Sequence, residues 1–401
     1  MNKRTLFCQR ADCELIVEAH TGKIKMCSQM QGVELFSNDI ENLKQNLQKG
    51  KRIQECEFCW NCERRNLVSH RQTGNDFWRQ NQGNCHLDLF LYNDCNAACI
   101  YCNQNYSTQW QNEIKNTKYS TPEIYRQNKS ISVTDKHKEK LLDYVKQLAL
   151  DVNKTACIAV NGGEPSLYAF RDNFLENIIE TFFKYTKSDR NMRLDFFTNC
   201  NSSPTQTVKL INLFDYYKTI YPNFQPVIQP SFESVGKTFE YVRYGIKWED
   251  FTDNLFRWAD SNFEKNITAT INSVSLNNLY EFLKFVNEYA SVSKNIVNLR
   301  LNELYKPDQF SLRYLDDTFL DYFNKCIKYL KTEKIYINNN KQVIKNLKNL
   351  KSKINTQKPT QEFLKEFFEI NDYFKNERSL DINNINPYLY DYFLNMSEKC
   401  G

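Results

Sequence analysis

Short apolar runs alternate with amphipathic stretches through the middle of the chain. Six runs rich in β-branched and aromatic residues predict strands at 87–92, 157–160, 193–198, 227–232, 267–273 and 297–301. Helical spacing of apolar positions predicts helices at 138–150, 174–185, 208–217, 248–261 and 279–290. Strand-plus-helix units in series predict a parallel sheet with right-handed crossovers. Six units are too few for a closed eight-stranded barrel, so we expect an α/β fold, a partial (β/α)6 TIM-like barrel. Ligands would bind at the C-terminal edge of its strands.

Both flanks differ from this alternation. In residues 1–80, two short apolar segments around Gly22 predict a hairpin, apolar spacing over 35–47 predicts a helix, and a basic, cysteine-bearing loop follows. From residue 306 onward the chain is rich in Lys, Asn, Ile, Tyr and Phe. We therefore predict three parts: a small N-terminal cysteine-rich module at 1–80, the partial barrel at 86–305 and accessory C-terminal helices at 306–401.

Composition and charge narrow the class of protein. Of 401 residues, 41% are hydrophobic and 14% aromatic, enough to bury a sizeable core. The net charge of +5 is too small and too dispersed to require a nucleic-acid partner. No apolar run approaches the ~18 residues that span a bilayer, and the basic start develops no signal-peptide stretch. We expect a cytoplasmic protein without membrane association.

Cysteines are concentrated near the start of the chain. There are 14, and all but Cys157, Cys200, Cys326 and Cys400 lie within the first 102 residues. We interpret those four as buried apolar side chains or isolated surface thiols. In a reducing compartment, clustered cysteines more often bind metal or carry out redox chemistry than form disulfides.

The most specific segment is Cys95-x3-Cys99-x2-Cys102, directly after the first strand of the predicted barrel. A loop this short can supply three thiolates to one metal cluster. A four-iron cluster normally takes four cysteines, so three leave one iron open to another molecule. Structural zinc is the alternative, but it requires four closed ligands and no fourth is adjacent. His86 is a poor fourth ligand because it begins the strand, at the end opposite the loop.

This spacing, with aromatic Tyr101 before the last cysteine, resembles the signature of the radical S-adenosylmethionine (radical SAM) superfamily. The resemblance implies a [4Fe–4S] cluster whose unique iron chelates S-adenosylmethionine (SAM). It further implies reductive cleavage of SAM to a 5′-deoxyadenosyl radical, which abstracts a hydrogen atom from a substrate. A reductant such as flavodoxin or ferredoxin would supply the electron.

Four further segments resemble the family's SAM-binding motifs, in the expected order. Gly162-Gly163-Glu164-Pro165, after the second predicted strand, is similar to the motif that holds the SAM ammonium. The implied cofactor-binding residues after the third and fourth strands are Asn199, a support for the cofactor; Ser231 and Arg243, at the SAM carboxylate; and Glu233, at the ribose hydroxyls. Glu233 stands where an Asp is commoner. Strand alternation predicts that Ser231 and Glu233 share one face.

The N-terminal cysteines resemble the auxiliary-cluster module of twitch-type, SPASM-related radical SAM proteins. The resemblance implies a second, auxiliary [4Fe–4S] cluster with Cys8, Cys27, Cys56 and Cys59 as ligands. Cys13 and Cys62 depart from the pattern and are possible substitute ligands. A zinc knuckle built on the same four thiolates is the alternative, and it could not relay an electron.

The resemblance covers about residues 7–305 and predicts a radical SAM enzyme with oxidoreductase-like chemistry. Oxidative modification of a peptide or protein is the preferred function. Oxidation or rearrangement of a small molecule or carbohydrate is the alternative. A remote alternative is a non-catalytic zinc-binding scaffold or nucleic-acid-binding protein, because basic residues surround the N-terminal cysteines. The sequence singles out no general base or radical-relay residue.

Overall fold

The computed structural model describes residues 8–65, 68–127 and 129–400, with the backbone only at 399–400. Residues 1–7 of the predicted N-terminal module and Gly401 of the predicted C-terminal region lie outside this description. The strands are β1 (Glu14–Glu18), β2 (Lys23–Lys25), β3 (Val33–Glu34), β4 (Cys85–Phe90), β5 (Thr155–Asn161), β6 (Asn191–Thr198), β7 (Phe224–Pro230), β8 (Glu264–Ile271) and β9 (Val297–Glu303).

The helices are α1 (Arg10–Cys13), α2 (Asp39–Gln48), α3 (Glu57–Arg64), α4 (His70–Gln80), α5 (Thr108–Asn116), α6 (Asp135–Asp151), α7 (Phe174–Tyr185), α8 (Pro204–Ile220), α9 (Gly236–Val242), α10 (Trp248–Ala259), α11 (Leu279–Val292), α12 (Leu320–Thr332), α13 (Asn340–Lys351), α14 (Gln361–Arg378), α15 (Ile382–Ile385) and α16 (Pro387–Cys400). Within the described ranges, none of them is both long and apolar enough to cross a bilayer.

The chain forms two compact units. The first unit comprises Met1–Asn93, Lys129–Phe197 and Asn212–Pro226, and the second comprises Asp94–Asn128, Thr198–Ile211 and Val227–Gly401. In the first unit the strand order is β3-β2-β1-β4-β5-β6. The β1–β2 and β2–β3 pairs are antiparallel, whereas β1 pairs in parallel with β4, and β4–β5 and β5–β6 are also parallel.

The sheet of the first unit has one apolar and one polar face, because successive side chains of a strand alternate between faces. The apolar face buries Leu87 and Leu89 of β4 and Ile158 of β5, and α6 packs against β4 and α7. The opposite face carries a charged and polar set at alternate positions, namely His86, Asp88, Cys157, Arg193 and Asp195. Such a face is suited to polar ligands rather than to core packing.

The second unit holds the parallel pairs β7–β8 and β8–β9. Every second residue of β8 is buried, from Lys265 to Ile271. Helix α13 packs on β9, and α12 packs on α11 and α13. Helix α14 contacts α16, so the C-terminal helices belong to the core of this unit.

The predicted α/β class with parallel central strands is confirmed. Predicted and observed strands overlap at all six positions, and the N-terminal hairpin turns at Gly22, which has a φ of +68°. Three strands, β4, β7 and β8, end two residues earlier than predicted. Beyond β7, Ser231 still forms a parallel bridge with Thr268, so extended pairing reaches Ser231.

The predicted boundaries of three parts stay a prediction, and the two compact units run across them. The N-terminal hairpin pairs with β4, with Glu14 opposite His86 and Glu18 opposite Phe90. It therefore extends the sheet of the first unit rather than forming a separate layer.

Candidate functional site

The loop with Cys95, Cys99 and Cys102, called here the cysteine loop, is held from one side by the start of α5. Thr108 Oγ1 accepts from the Cys95 amide at 3.0 Å and donates to the Cys95 carbonyl at 3.0 Å. Ser107, the N-cap of α5, donates to the Ala97 carbonyl at 2.6 Å. Because Ser107 and Ala97 are buried, these bonds fix the loop backbone against the helix.

The segment that follows α9 holds the other side of the cysteine loop. The amides of Ala98 and Ile100 donate to the carbonyls of Tyr244 and Val242 at 2.7 and 2.9 Å. Gly245 has a φ of +98°, and a Cβ at this position would lie 2.8 Å from the Asn96 carbonyl oxygen. Only glycine permits this approach without moving the loop.

The loop thiols are set in a desolvated, partly cationic environment. Burial raises the pKa of Cys102 to about 12, with a smaller rise from Cys99 and a lowering by Arg243. Burial also raises the pKa of Cys99, which Arg243 and Arg378 lower and Glu233 raises. Thiols must lose their protons to ligate a metal, and a bound cationic cluster supplies the charge that drives this loss. Three thiols in one short loop fit a cluster with one open iron.

Tyr101, Glu233 and Arg243 form a buried polar group in the second unit. Glu233 Oε2 accepts from Tyr101 Oη at 3.0 Å and from Arg243 Nη2 at 2.8 Å. Both Glu233 and Arg243 are below a tenth exposed, yet Glu233 Oε1 and Arg243 Nε have no hydrogen-bond partner within the described residues. Buried polar atoms of this kind are normally satisfied, so the pair fits a polar ligand that supplies the missing donor and acceptor.

Two further predicted SAM contacts lie in this unit. Asn199 Nδ2 donates to Asn96 Oδ1 at 3.1 Å and lies 3.9 Å from Cys95 Sγ. The amide of Ser231 donates to the Thr198 carbonyl at 2.9 Å, one residue beyond the end of β7. Asn199 is therefore next to the cysteine loop, as expected for a residue that supports a cofactor there.

The predicted Gly-Gly-Glu-Pro motif lies in the first unit, after β5. Gly162 and Gly163 have φ values of +86° and +53°, and a Cβ on Gly162 would lie 3.0 Å from the Tyr92 carbonyl. Glu164, buried, accepts from the Ser166 amide at 3.1 Å and begins the short 3-10 turn that contains Pro165. The positive φ values allow the main chain to approach a ligand closely, and the Gly162 carbonyl already accepts from Tyr168 Oη at 2.9 Å.

The four N-terminal thiols predicted as auxiliary ligands lie close together in the first unit. Burial raises the pKa of Cys8 to about 11, with a further rise from the Cys27 and Cys59 thiols. Burial likewise raises the pKa of Cys56 to about 12, with rises from Cys27, Cys8 and Cys59. Cys13 differs from these thiols. Burial is the largest cause of its raised pKa, and the Cys85 thiol is the next largest. The Cys8 thiol also raises the pKa of Cys13, and the substitute roles of Cys13 and Cys62 stay predictions.

Nearby backbone groups oppose the effect of burial on three of these thiols. Hydrogen bonding by Ala11 and Arg10 lowers the pKa of Cys8, and hydrogen bonding by Gln29 and Met30 lowers that of Cys27. The Arg71 amide does the same for Cys59. Hydrogen bonds to sulfur tune iron–sulfur clusters, and here they would favour the thiolate form.

Among the described residues, no three His, Cys, Asp or Glu side chains are arranged to hold a single metal ion.

Sequence reasoning missed a polar array on the polar face of the first unit. His86 Nε2 lies 2.8 Å from Asp88 Oδ1, and Cys157 Sγ donates to Asp195 Oδ2 at 3.0 Å. Burial opposes protonation of His86, but Asp88 and Cys157 raise its pKa well above the ordinary value. Arg193 pairs with Asp195 at 2.9 Å. His86 stands opposite Cys157 in the β4–β5 register, so strand alternation was the available signal.

Comparisons with known proteins give only distant structural likenesses. No family model matches the chain, and no curated protein matches it. The structure titled native anSMEcpe with bound AdoMet has a TM-score of 0.41 at 18% identity, over 62% of this chain and 60% of that chain. Streptococcus suis SuiB has a TM-score of 0.39 at 13% identity, over 75% and 54%. The chain thus spans less than two thirds of either. Neither likeness supports a functional conclusion for this chain.

Proposed function

We propose that this chain is a radical SAM enzyme with oxidoreductase-like chemistry, acting in the cytoplasm. The observation that carries the proposal is the cysteine loop: three thiols between β4 and α5, held by α5 and the 242–245 segment, with a buried Glu233–Arg243 pair in the same unit. A [4Fe–4S] cluster with SAM would supply a 5′-deoxyadenosyl radical that abstracts hydrogen from the substrate.

The chain's own residues would bind and orient this group. Cys95, Cys99 and Cys102 would ligate three irons. Arg243 Nε and Glu233 Oε1, both buried without partners among the described residues, would contact the carboxylate and ribose of SAM. The remaining proposed contacts are Tyr101, Gly162, Gly163, Glu164, Pro165, Asn199 and Ser231.

A second cluster at Cys8, Cys27, Cys56 and Cys59 belongs to the same proposal. Each of Cys8 and Cys56 has its pKa raised by other thiols of this set, which supports a shared site. Four protein ligands would saturate the cluster, so it would accept or relay an electron rather than bind substrate. Flavodoxin or ferredoxin would reduce the enzyme.

The proposed substrate is a peptide or protein that undergoes oxidation. After hydrogen abstraction, the remaining electron would pass to the auxiliary cluster. Oxidation or rearrangement of a small molecule or carbohydrate is the second candidate.

Iron analysis tests the cofactor content. Protein prepared without oxygen should hold about eight iron and eight sulfide per chain if both clusters form, and about four of each if one does. Cys56→Ala should halve the iron. Near-zero iron with bound zinc would contradict the proposal and favour a zinc-binding scaffold.

Reductive SAM cleavage tests the site. Cys99→Ala should abolish formation of 5′-deoxyadenosine under dithionite while about four iron atoms remain bound at the auxiliary site. Cys326→Ala, which removes a buried thiol from α12, is the matched control and should retain cleavage. Unchanged cleavage by Cys99→Ala would refute the assignment of the cysteine loop.

A further inference from the structure

Arg378, the last residue of α14, is a buried charge in the second unit. Its side chain has no exposed surface, and its Nη2 lies 2.9 Å from Oε1 of Glu113, which is also buried. Arg378 Nε donates to Glu113 Oε1 and Oε2 at 3.0 and 3.1 Å, and Tyr373 Oη donates to Oε1 at 3.0 Å. Glu113 belongs to α5, the helix that follows the cysteine loop.

Three aromatic rings enclose the Arg378 guanidinium. Its central carbon lies 4.3 Å from the ring centroid of Trp110, 4.5 Å from that of Tyr244 and 4.3 Å from that of Phe374. Aromatic faces attract a cation, and the attraction is larger where water is excluded. A single carboxylate and three rings therefore hold this cation at one place.

Two of the residues around Arg378, Trp110 and Tyr244, also hold the cysteine loop. Trp110 Nε1 donates to the Cys99 carbonyl at 3.0 Å, and the Tyr244 carbonyl accepts from the Ala98 amide at 2.7 Å. Tyr125, stacked on Trp110 at 4.1 Å, donates to the Ile100 carbonyl at 2.8 Å. Consecutive residues 98–100 are thus fixed by the same layer that encloses the cation.

We propose that Arg378 is a positioning residue whose fixed charge raises the reduction potential of the cluster bound by Cys95, Cys99 and Cys102. This inference rests on the proposed function only in that the cysteine loop binds a cluster. Reduction adds one negative charge to a cluster, and a buried cation nearby stabilises the more negative state.

Substitutions of Arg378 and Glu113 should shift the reduction potential of the cluster in opposite directions. Arg378→Met removes the cation and keeps much of the volume, so reduction should become harder. Glu113→Gln removes the opposing anion and leaves the cation uncompensated, so reduction should become easier. Arg378→Lys keeps the charge and should leave the potential close to that of the wild type. A merely structural role would shift the first two variants in the same direction.

The experiment is a redox titration of the anaerobically reconstituted full chain, followed by electron paramagnetic resonance. The loop cluster is identified as the signal whose line shape changes when SAM is added. For Arg378→Met we expect at least a tenfold lower ratio of reduced to oxidised cluster at a fixed applied potential, which is about 59 mV for a one-electron couple. The matched control is Arg313→Gln, which breaks another ion pair, between Arg313 Nε and Glu303 Oε1 at 2.7 Å. This variant should not shift the reduction potential.

Each outcome decides one claim. An Arg378→Met potential equal to that of Arg313→Gln overturns the inference while leaving the proposed function intact. Shifts of Arg378→Met and Glu113→Gln in the same direction, or loss of iron in both, also overturn it, because the pair is then only structural. Absence of a SAM-sensitive signal in the wild type is failure of the proposed function itself.

Discussion

At the scale of single residues, the Gly245 backbone decides whether the cysteine loop can form. Gly245→Ala should cost about 1–2 kcal/mol for the left-handed φ alone, and its Cβ would meet the Asn96 carbonyl oxygen at 2.8 Å. That oxygen is main chain, so relief requires movement of the loop. We expect reduced iron per chain together with a lower urea midpoint.

Gly236→Ala is the matched control for this prediction. Gly236 also has a positive φ, of +59°, but a Cβ added there would have no atom within 4 Å among the described residues. Gly236→Ala should lower the stability through its positive φ alone, and it should bind as much iron as the wild type. Equal iron loss in the two variants would show that backbone strain, rather than contact with the loop, is responsible.

Lys265 makes folding depend on pH. The side chain is fully buried and donates to the Ser261 carbonyl at 2.7 Å, and burial lowers its pKa from 10.5 to about 8. Between pH 8 and 10.5 the unfolded chain holds more protons, so stability should rise with pH, in total by up to about 3 kcal/mol.

Urea unfolding of the wild type and Lys265→Met between pH 7 and 9.5 measures this contribution. The stability of the wild type should rise relative to that of the variant, which lacks the titrating group. Lys237→Met, at an exposed position, is the control and should follow the wild type. Parallel curves for wild type and Lys265→Met would contradict the prediction.

Residue types and spacing predicted the candidate cysteine ligands, but not which side chains around them contact each other. Cys95, Cys99 and Cys102 form a local motif, which a sequence shows directly. Arg243 was predicted to contact SAM, whereas its observed partner is Glu233, ten residues away across a chain reversal. The Arg378–Glu113 pair is 265 residues apart, and no periodicity links positions at that distance.

At the scale of elements, the start of α5 couples helix capping to the cysteine loop. Ser107 accepts from the Trp110 amide at 3.2 Å and donates to the Ala97 carbonyl. Ser107→Ala should lose about 1 kcal/mol for the cap and about 1–3 kcal/mol for the buried carbonyl left unpaired. Urea unfolding measures the sum.

Thr360→Ala is the comparison, since Thr360 caps α14 by accepting from the Phe363 amide at 3.1 Å. It should cost only the cap, about 1 kcal/mol. If both variants lose the same stability, the Ser107–Ala97 bond contributes nothing beyond capping.

Element type was predictable because periodicity is local, whereas element ends depend on tertiary contacts. The helix at 174–185 was predicted at its observed bounds, since its apolar positions are all internal to α7. Strand β7 ends two residues before the predicted position, although Ser231 still bonds the Thr198 carbonyl of β6 and bridges Thr268 of β8.

At the scale of the whole molecule, the N-terminal hairpin covers an edge of the first unit's sheet. β1 pairs with β4 over Glu14–Glu18, so removal of residues 1–80 would leave the Cys85–Phe90 edge unpaired. An exposed edge strand templates association. In size-exclusion chromatography, we expect a larger fraction of the 81–401 chain than of the full chain to elute as associated species.

The full chain with Cys8, Cys27, Cys56 and Cys59 all replaced by Ala separates the two roles of this segment. It keeps β1 but lacks the ligands of the proposed auxiliary cluster, and it should elute like the full chain. Association of that variant to the same extent would assign the effect to lost cofactor rather than to the uncovered strand.

The Glu113–Arg378 ion pair can form only late in synthesis, after the cysteine loop has been made. The cysteine loop leaves the ribosome long before α14 exists, because 265 residues separate the partners. At about 5–20 residues per second, the interval is on the order of 10–50 s. During that time the loop lacks the layer that fixes residues 98–100. Iron delivered before α14 is made would therefore meet a loop without that layer, and we expect cofactor insertion only after α14 has been synthesised.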